Sequence, residues 1–314
     1  MPAHAEEEAE REALAAVGRQ HYLAGDYAGL DAIIDGYRKG SERTSSGLWK
    51  SGLVENGVED ATARPATQEE WLAAEAHARR WIEANPASVF APINLAHVIA
   101  AHAWSIRGGD YAYKVPKQAW KPFGEELARA RKVLDKAKRV SSADPEWYDQ
   151  AIDIATADGR ERKEVDALFN EAVAREPGYY PAYFAMVRYL LPKWNGDLHE
   201  IEAFANRAVA LTRASEGGSM YARIYWFASQ VEFDNGLFLS SFARWDRVDA
   251  GFQDVLARYP DQWNLNHYAK FACLAADPKR TRELMQRIDV PIRAAWEPDG
   301  LFERCQRSAG ILAL

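Results

Sequence analysis

The sequence predicts an all-α fold, a degenerate solenoid of helical hairpins, and three observations carry that prediction. The first is a junction that recurs: a helical run closes on a polar or acidic residue and a proline, and an aromatic-led run follows. It reads Glu83-Ala84-Asn85-Pro86, Ala143-Asp144-Pro145-Glu146-Trp147-Tyr148, Arg175-Glu176-Pro177-Gly178-Tyr179-Tyr180 and Arg258-Tyr259-Pro260-Asp261-Gln262-Trp263. Proline fits a first helical turn and disrupts a helix interior, so each junction ends one helix and opens another. The second is that no stretch alternates apolar and polar residues between hairpin turns, so strands are not expected. The third is the repetition itself: helix pairs too small to bury their own faces must stack on their neighbours.

Each element has its local reason. Glu6 to Tyr22 reads as a helix, Gly25-Asp26 as a turn, and Tyr27 to Lys39 as the partner helix, striped by Leu30, Ile33, Ile34 and Tyr37. Ser41 to Pro65, rich in Ser, Thr and Gly, reads as a loose connection with room for a short helix around Trp49. Thr67-Gln68-Glu69-Glu70 is a capping box, in which the Thr hydroxyl and the Glu carboxylate satisfy free amides at a helix start. It opens a helix to about Ala84 with Trp71, Leu72, Ala78, Trp81 and Ile82 facing inward. Ser88 to Ile106 is apolar nearly all round and reads as a core helix. Pro116 starts a long helix to about Arg139, with Leu127, Ala130, Val133, Leu134 and Ala137 spaced for burial.

Asp144 with Pro145 caps the next helix and Gly159 ends it; Glu161 to Arg175 is its partner. Tyr180 to Leu191 follows. Asp197 caps a helix to Thr212, with Trp194 expected to pack back from the preceding turn. Beyond Gly217-Gly218, Met220, Ile224, Phe227 and Val231 define one packing face. The remaining helices read as Leu237 to Tyr259, Gln262 to Ala275 and a shorter one capped by Asp277-Pro278, before an ill-defined helical tail after Pro298.

Pro145 and Pro177 lie 32 residues apart, near the roughly 34-residue tetratricopeptide period. The neighbouring intervals, 59 residues from Pro86 to Pro145 and 83 from Pro177 to Pro260, are not multiples of it. At this level the chain resembles the tetratricopeptide-like (TPR-like) superfamily with degenerate repeats. Five blocks carry a closer resemblance: Gly25-Asp26-Tyr27, Ser46-Gly47-Leu48-Trp49-Lys50, Leu191-Pro192-Lys193-Trp194-Asn195-Gly196-Asp197, Met220-Tyr221-Ala222-Arg223-Ile224-Tyr225-Trp226 and Tyr259-Pro260-Asp261-Gln262-Trp263-Asn264. These look like an uncharacterised bacterial family known only as a domain of unknown function. That resemblance implies a helical-repeat fold and brings no reaction or catalytic residues with it. The organisation expected is an N-terminal hairpin and connection over residues 1–60, continuous with a helical-repeat array over 61–314.

Composition narrows the function classes. The chain has 314 residues, 48% hydrophobic and 27% charged, a globular composition, and its net charge of −7 argues against wholesale nucleic-acid binding. The start, with Glu6, Glu7, Glu8, Glu10 and Glu12, is the reverse of a secretory signal. The most apolar stretch, Phe90 to Trp104, is interrupted by Asn94, His97 and His102 and is too short to span a membrane. A cytoplasmic protein is expected. Cys273 and Cys305 make no disulfide framework and read as small hydrophobes within helices.

Chemistry is sparse. Gly108-Gly109 and Gly217-Gly218 lack the context of a phosphate cradle and read as turns. No histidine or cysteine pair has metal-ligand spacing, so neither metal nor cofactor is expected. His97 and His102, five apart, are rotated by about 140° on a helix and read as hydrogen-bonded core or groove histidines. His199 with Glu200 and Glu202 reads as a solvated helix start. Acids near tryptophans (Asp144, Glu146, Asp261 and Glu297 beside Trp147, Trp263 and Trp296) raise the alternative of a hydrolase with paired carboxylates in an α/α pocket. The segment Lys114 to Arg139 holds nine Lys or Arg against three acids, the only hint of nucleic acid, and its regular buried stripe favours a solvated helix face.

The leading expectation is a non-catalytic module that binds a protein or peptide, as an adaptor or neutralising partner. Arginine beside tryptophan is the usual composition of a recognition hot spot. Arg223 and Trp226 lie one step off the packing stripe of their helix and are placed on a binding groove, joined by Arg188 and His267 from the flanking hairpins; burial against the next hairpin is the alternative for both, and for Trp226 an equal one.

Overall fold

The computed structural model describes residues 3–62 and 65–312. Residues 63–64, at the end of the loose connection, and 313–314, at the end of the tail, lie outside the described residues. The helices in chain order are α1 (Ala3–Ala24), α2 (Tyr27–Gly40), α3 (Lys50–Thr62), α4 (Gln68–Ala84), α5 (Ala91–Arg107), α6 (Trp120–Ser141), α7 (Glu146–Ala157) and α8 (Arg162–Arg175). They continue as α9 (Tyr180–Leu190), α10 (Leu198–Glu216), α11 (Ser219–Ala228), α12 (Leu237–Ser240), α13 (Trp245–Arg258), α14 (Gln262–Leu274), α15 (Pro278–Met285) and α16 (Leu301–Ser308). No strand occurs among the described residues, and helices packed in sequence order give the all-α, solenoid-like class that was expected. All four proline junctions separate helices. No helix among the described residues is long and apolar enough to cross a membrane.

The chain divides into two compact units: the first comprises 11–42 and 49–189, the second 1–10, 43–48 and 190–314. The units do not part at residue 60. α3 packs on α2 and on α5, so residues on both sides of residue 60 share one core. In that core α5 lies against α4 and α6 and is buried almost throughout; Tyr22, Trp81, Phe90, Trp147 and Tyr148 fill the space around it.

The expected local chemistry is present at most helix ends. Thr67 and Glu70 form the reciprocal capping box, and Asp26, Asp197, Asp261 and Asp277 each accept a backbone N–H at the start of a helix. Leu72 is the exception to the α4 stripe and is 58% exposed.

The loose connection is the larger difference. Residues 50–62 form a full helix, α3, despite Gly52 and Gly57. Gly57 earns its place by close approach: a Cβ there would sit 1.9 Å from the Ala15 carbonyl oxygen, and one on Gly18 would sit 2.0 Å from that of Val54. α1 and α3 therefore cross backbone on backbone at Gly18 and Gly57, so a glycine of the expected loose connection is a contact point.

In the second unit α11 packs on α10 and α13, and α14 on α13 and α15. A single helix from Leu237 to Tyr259 does not form. α12 is one turn, ended where Ser241 Oγ donates to the Leu237 carbonyl and accepts the Ala243 N–H, and α13 begins at Trp245. The cysteines differ too: Cys273 on α14 and Cys305 on α16 form a disulfide. Thiols assigned as separate small hydrophobes are brought together by the packing of α16 on α14, which sequence spacing does not reveal.

Candidate functional site

The site begins where α11 ends. The stripe Met220, Ile224, Phe227, Val231 implies a regular helix, but after Ala228 the backbone widens into a π-helical turn over Ser229–Phe233. Ser229 Oγ donates to the Trp226 carbonyl, 2.7 Å away, and Asp234 adopts φ +46°, in the left-handed region that non-glycine residues seldom enter. Irregular turns of this sort concentrate at functional sites because packing must hold them against their own preference.

Beside this turn lies an open cleft of 710 Å³, walled by the end of α11, by α14 and by residues 293–299. Trp226 is half-buried in its wall, and the His267 ring lies 4.1 Å from the indole, centre to centre. Phe271 adds apolar surface one turn beyond His267. Lys270 and Arg293 supply cations, and Asp234, Glu297 and Asp299 supply carboxylates. Burial lowers the Lys270 ammonium below its ordinary value, against the raising influence of Glu297 and Asp234.

The third wall is held in place by α14. Asn266 Oδ1 accepts both the Ile292 N–H at 3.1 Å and the Trp296 indole N–H at 2.7 Å, and Asn235 Nδ2 donates to the Glu297 carbonyl at 3.2 Å. The Cys273–Cys305 bond closes the chain segment that contains this wall. Such a surface offers an aromatic platform, both charge signs and the side-chain amides of Gln230 and Asn235, which suits a polar, partly aromatic ligand held by several short contacts.

Of the residues placed on a groove from sequence, Trp226 and His267 line this cleft together. Arg223, one turn earlier on α11, is buried at 5% exposure, with its guanidinium 5.6 Å from the Tyr259 ring. It does not line the cleft. Arg188 belongs to the first unit and has its own partners: its Nε donates to Asp153 at 2.9 Å and its Nη2 to Asp153 at 2.7 Å and Asp149 at 3.2 Å.

Those partners open onto a nest of buried acids. α3 presents Glu55 and Glu59 one turn apart, and α7 presents Glu146, Asp149 and Asp153 along one face. Glu55 and Asp144 are each 1% exposed. Neither Glu55 oxygen nor Asp144 Oδ2 receives a hydrogen bond from any donor, although Arg38 Nε lies 3.4 Å from the latter. Burial, then the charges of Asp144, Glu146 and Glu59, holds Glu55 well above the usual carboxylate range. Burial lifts Asp144 to about 6, opposed by the Glu146 N–H and Arg38.

Burial also lifts Glu146 and Glu59 to about 8 each, helped at Glu146 by Glu59 and at Glu59 by Asp60 and Asp153. Tyr179 donates to Glu146 at 2.6 Å, and His97 Nδ1 lies 3.2 Å from Glu59 while burial lowers its own value to about 4. His97 is thus the hydrogen-bonded histidine that was expected, as is His102, bonded to Gln68 at 3.0 Å and stacked on Trp71.

Of the four acids singled out from sequence, Asp144 and Glu146 lie together in the first unit, where Asp144 Oδ1 accepts the Glu146 N–H at 3.1 Å, while Asp261 and Glu297 belong to the second. Sequence reasoning missed Lys270, Arg293, Glu55, Glu59 and Asp149. A signal existed for the glutamates, since Glu55 and Glu59 ride beside Val54 and Val58 on the apolar stripe of α3. Comparison of the chain with family models, with curated proteins and with solved structures finds no match.

Proposed function

We propose that the chain is a non-catalytic, TPR-like binding module that holds a segment of a protein partner in the cleft of its second unit, as an adaptor or neutralising partner would. The observation that supports this reading is the half-exposed Trp226 packed against the His267 ring in the wall of an open cleft lined by both charge signs. Tryptophan in a semi-desolvated recess is the commonest anchor of a protein-recognition surface. A hydrolase needs two carboxylates that reach the same substrate bond. The most closely grouped acids lie in the first unit, and two of them, Glu55 and Asp144, are sealed from solvent. The open cleft therefore favours binding over hydrolysis.

The test is to pan a random-peptide display library on the immobilised protein and to measure each selected peptide on Trp226→Ala and Arg293→Ala by calorimetry. A loss of more than about 2 kcal/mol for Trp226→Ala supports the reading. Arg293, 84% exposed at its side chain, weakens binding without lowering the melting temperature. Peptides bound equally by both variants, or none selected at all, contradict it. A cytoplasmic place of action belongs to the same reading, and the disulfide weighs against it because such bonds persist in oxidising compartments. Alkylation of freshly lysed cells decides: free thiols support the cytoplasm and an intact bond opposes it.

A further inference from the structure

We propose that the first unit carries a separate surface for single-stranded nucleic acid, in which Tyr111 and Tyr113 stack bases and Lys114 and Lys117 contact phosphates. Tyr113 at 81% and Tyr111 at 63% are the most exposed aromatic residues among those described, in a chain whose aromatics are mostly buried. Their rings stack on each other, 5.9 Å apart and within 15° of parallel, which gives a flat outward platform. Every base has a π-face that such a platform can hold.

The loop that carries them is fixed from below. Arg107, 9% exposed, lies against the rings of Trp104, Trp120 and Phe123 and donates to the Gly108 and Asp110 carbonyls at 2.9 and 3.0 Å. The platform is therefore pre-ordered, and a ligand need not immobilise it on binding.

Charge follows the platform. The chain as a whole carries −7. Yet Lys114, Lys117, Lys132, Lys136 and Arg139 make no ion pair among the described residues, whereas Arg129 and Lys138 are taken up by Glu75, Glu126 and Glu171. At about 100° per residue, Lys121, Lys132, Lys136 and Arg139 fall within about 60° of one another on α6, a basic line roughly 27 Å long. Glu125 and Asp135 interrupt that line without reversing its sign. A linear track of cations leading from stacked rings suits a strand backbone. A lipid surface is disfavoured by the same loop, since its one large aliphatic residue, Val115, is buried and leaves no long aliphatic chain to insert.

The experiment is fluorescence anisotropy with labelled oligothymidylate and oligouridylate, read at several salt concentrations, with anionic phosphatidylserine vesicles as a parallel arm. Wild-type protein is expected to bind both oligonucleotides, with affinity falling steeply as salt rises. Tyr113→Ala should weaken binding by about tenfold or more, and Lys114→Ala with Lys117→Ala should lower the log–log salt slope by about 2. These side chains are exposed, so melting temperatures should not move. The proposal is overturned if neither oligonucleotide binds at low salt, if the variants bind as wild type does, or if only the vesicles bind.

Discussion

The cleft of the second unit and the acid nest of the first both gather charged side chains near aromatic ones, and they differ in what surrounds the charges. In the cleft, Lys270, Arg293, Asp234, Glu297 and Asp299 face open space with both signs present, so water and counter-charge meet most of their needs. In the nest, Glu55, Glu59, Asp144, Glu146 and Asp149 face one another with Arg38 and Arg188 as the guanidinium groups at hand, and protons must do the rest. The same residue types thus serve two ends. Open and mixed, they make a surface ready for a ligand; closed and of one sign, they make a region whose stability depends on protonation.

The largest effect expected from breaking this contrast is in the nest. Arg188→Ala leaves Asp149 and Asp153 without their cation. Losing one partner of a buried pair costs roughly 3–5 kcal/mol, and with Arg188 at 30% side-chain exposure the expected loss is about 2–3 kcal/mol, read by denaturant unfolding. Trp226→Ala, by contrast, should cost more in binding than in stability. If Arg188→Ala leaves stability unchanged, the nest is not a closed electrostatic unit.

The next effect is a pH dependence. A carboxyl raised in the folded state binds its proton there more tightly than in the unfolded chain. Its contribution is therefore greatest below its unfolded value and is lost as pH climbs to its folded value. Glu59 and Glu146, raised to about 8, place that loss between roughly pH 4.5 and pH 8. His97, lowered to about 4, works the other way, losing stability as pH falls below about 6.5. Between about pH 6.5 and pH 8 the carboxyls act alone, so the melting temperature should fall as pH rises. Glu55→Gln removes a carboxyl whose anion is disfavoured by burial and by the Asp144, Glu146 and Glu59 charges, and it should raise the melting temperature at about pH 8 while changing little at pH 5. A melting temperature that rises over the upper range would contradict the assignment.

How far the sequence discloses all this depends on how local the cause is. Caps and prolines act within one turn, so the Thr67–Glu70 box, the Asp197 cap and the four junctions are legible directly. Gly57 is not, because its reason is the Ala15 carbonyl on another helix. The break after Ala228 also escapes a periodic reading, since Val231 continues the apolar stripe while the Ser229 hydroxyl bonds the Trp226 carbonyl and Asp234 takes a left-handed φ. The offset of Trp226 from the core stripe is legible, whereas its packing against His267 of α14 depends on how the hairpins meet. Arg223 shares that offset and is nonetheless covered, because burial by Tyr259 comes from a helix pair that sequence spacing does not place.

A smaller effect tests that same division between local and non-local causes. Asp197 accepts the Glu200 N–H at 2.9 Å, and Asp197→Ala should cost about 1 kcal/mol, the usual value of a lost N-cap. Thermal denaturation reads it, and no change would mean that α10 is held by packing alone.

The central claim is that the cleft binds while the nest stabilises, and hydrogen exchange with and without a display-selected peptide tests it most directly. The account predicts protection of amides in 226–235, 267–271 and 293–299, with no change in 50–62 or 146–157. Protection confined to the nest helices, or none in the cleft at saturating peptide, would contradict it.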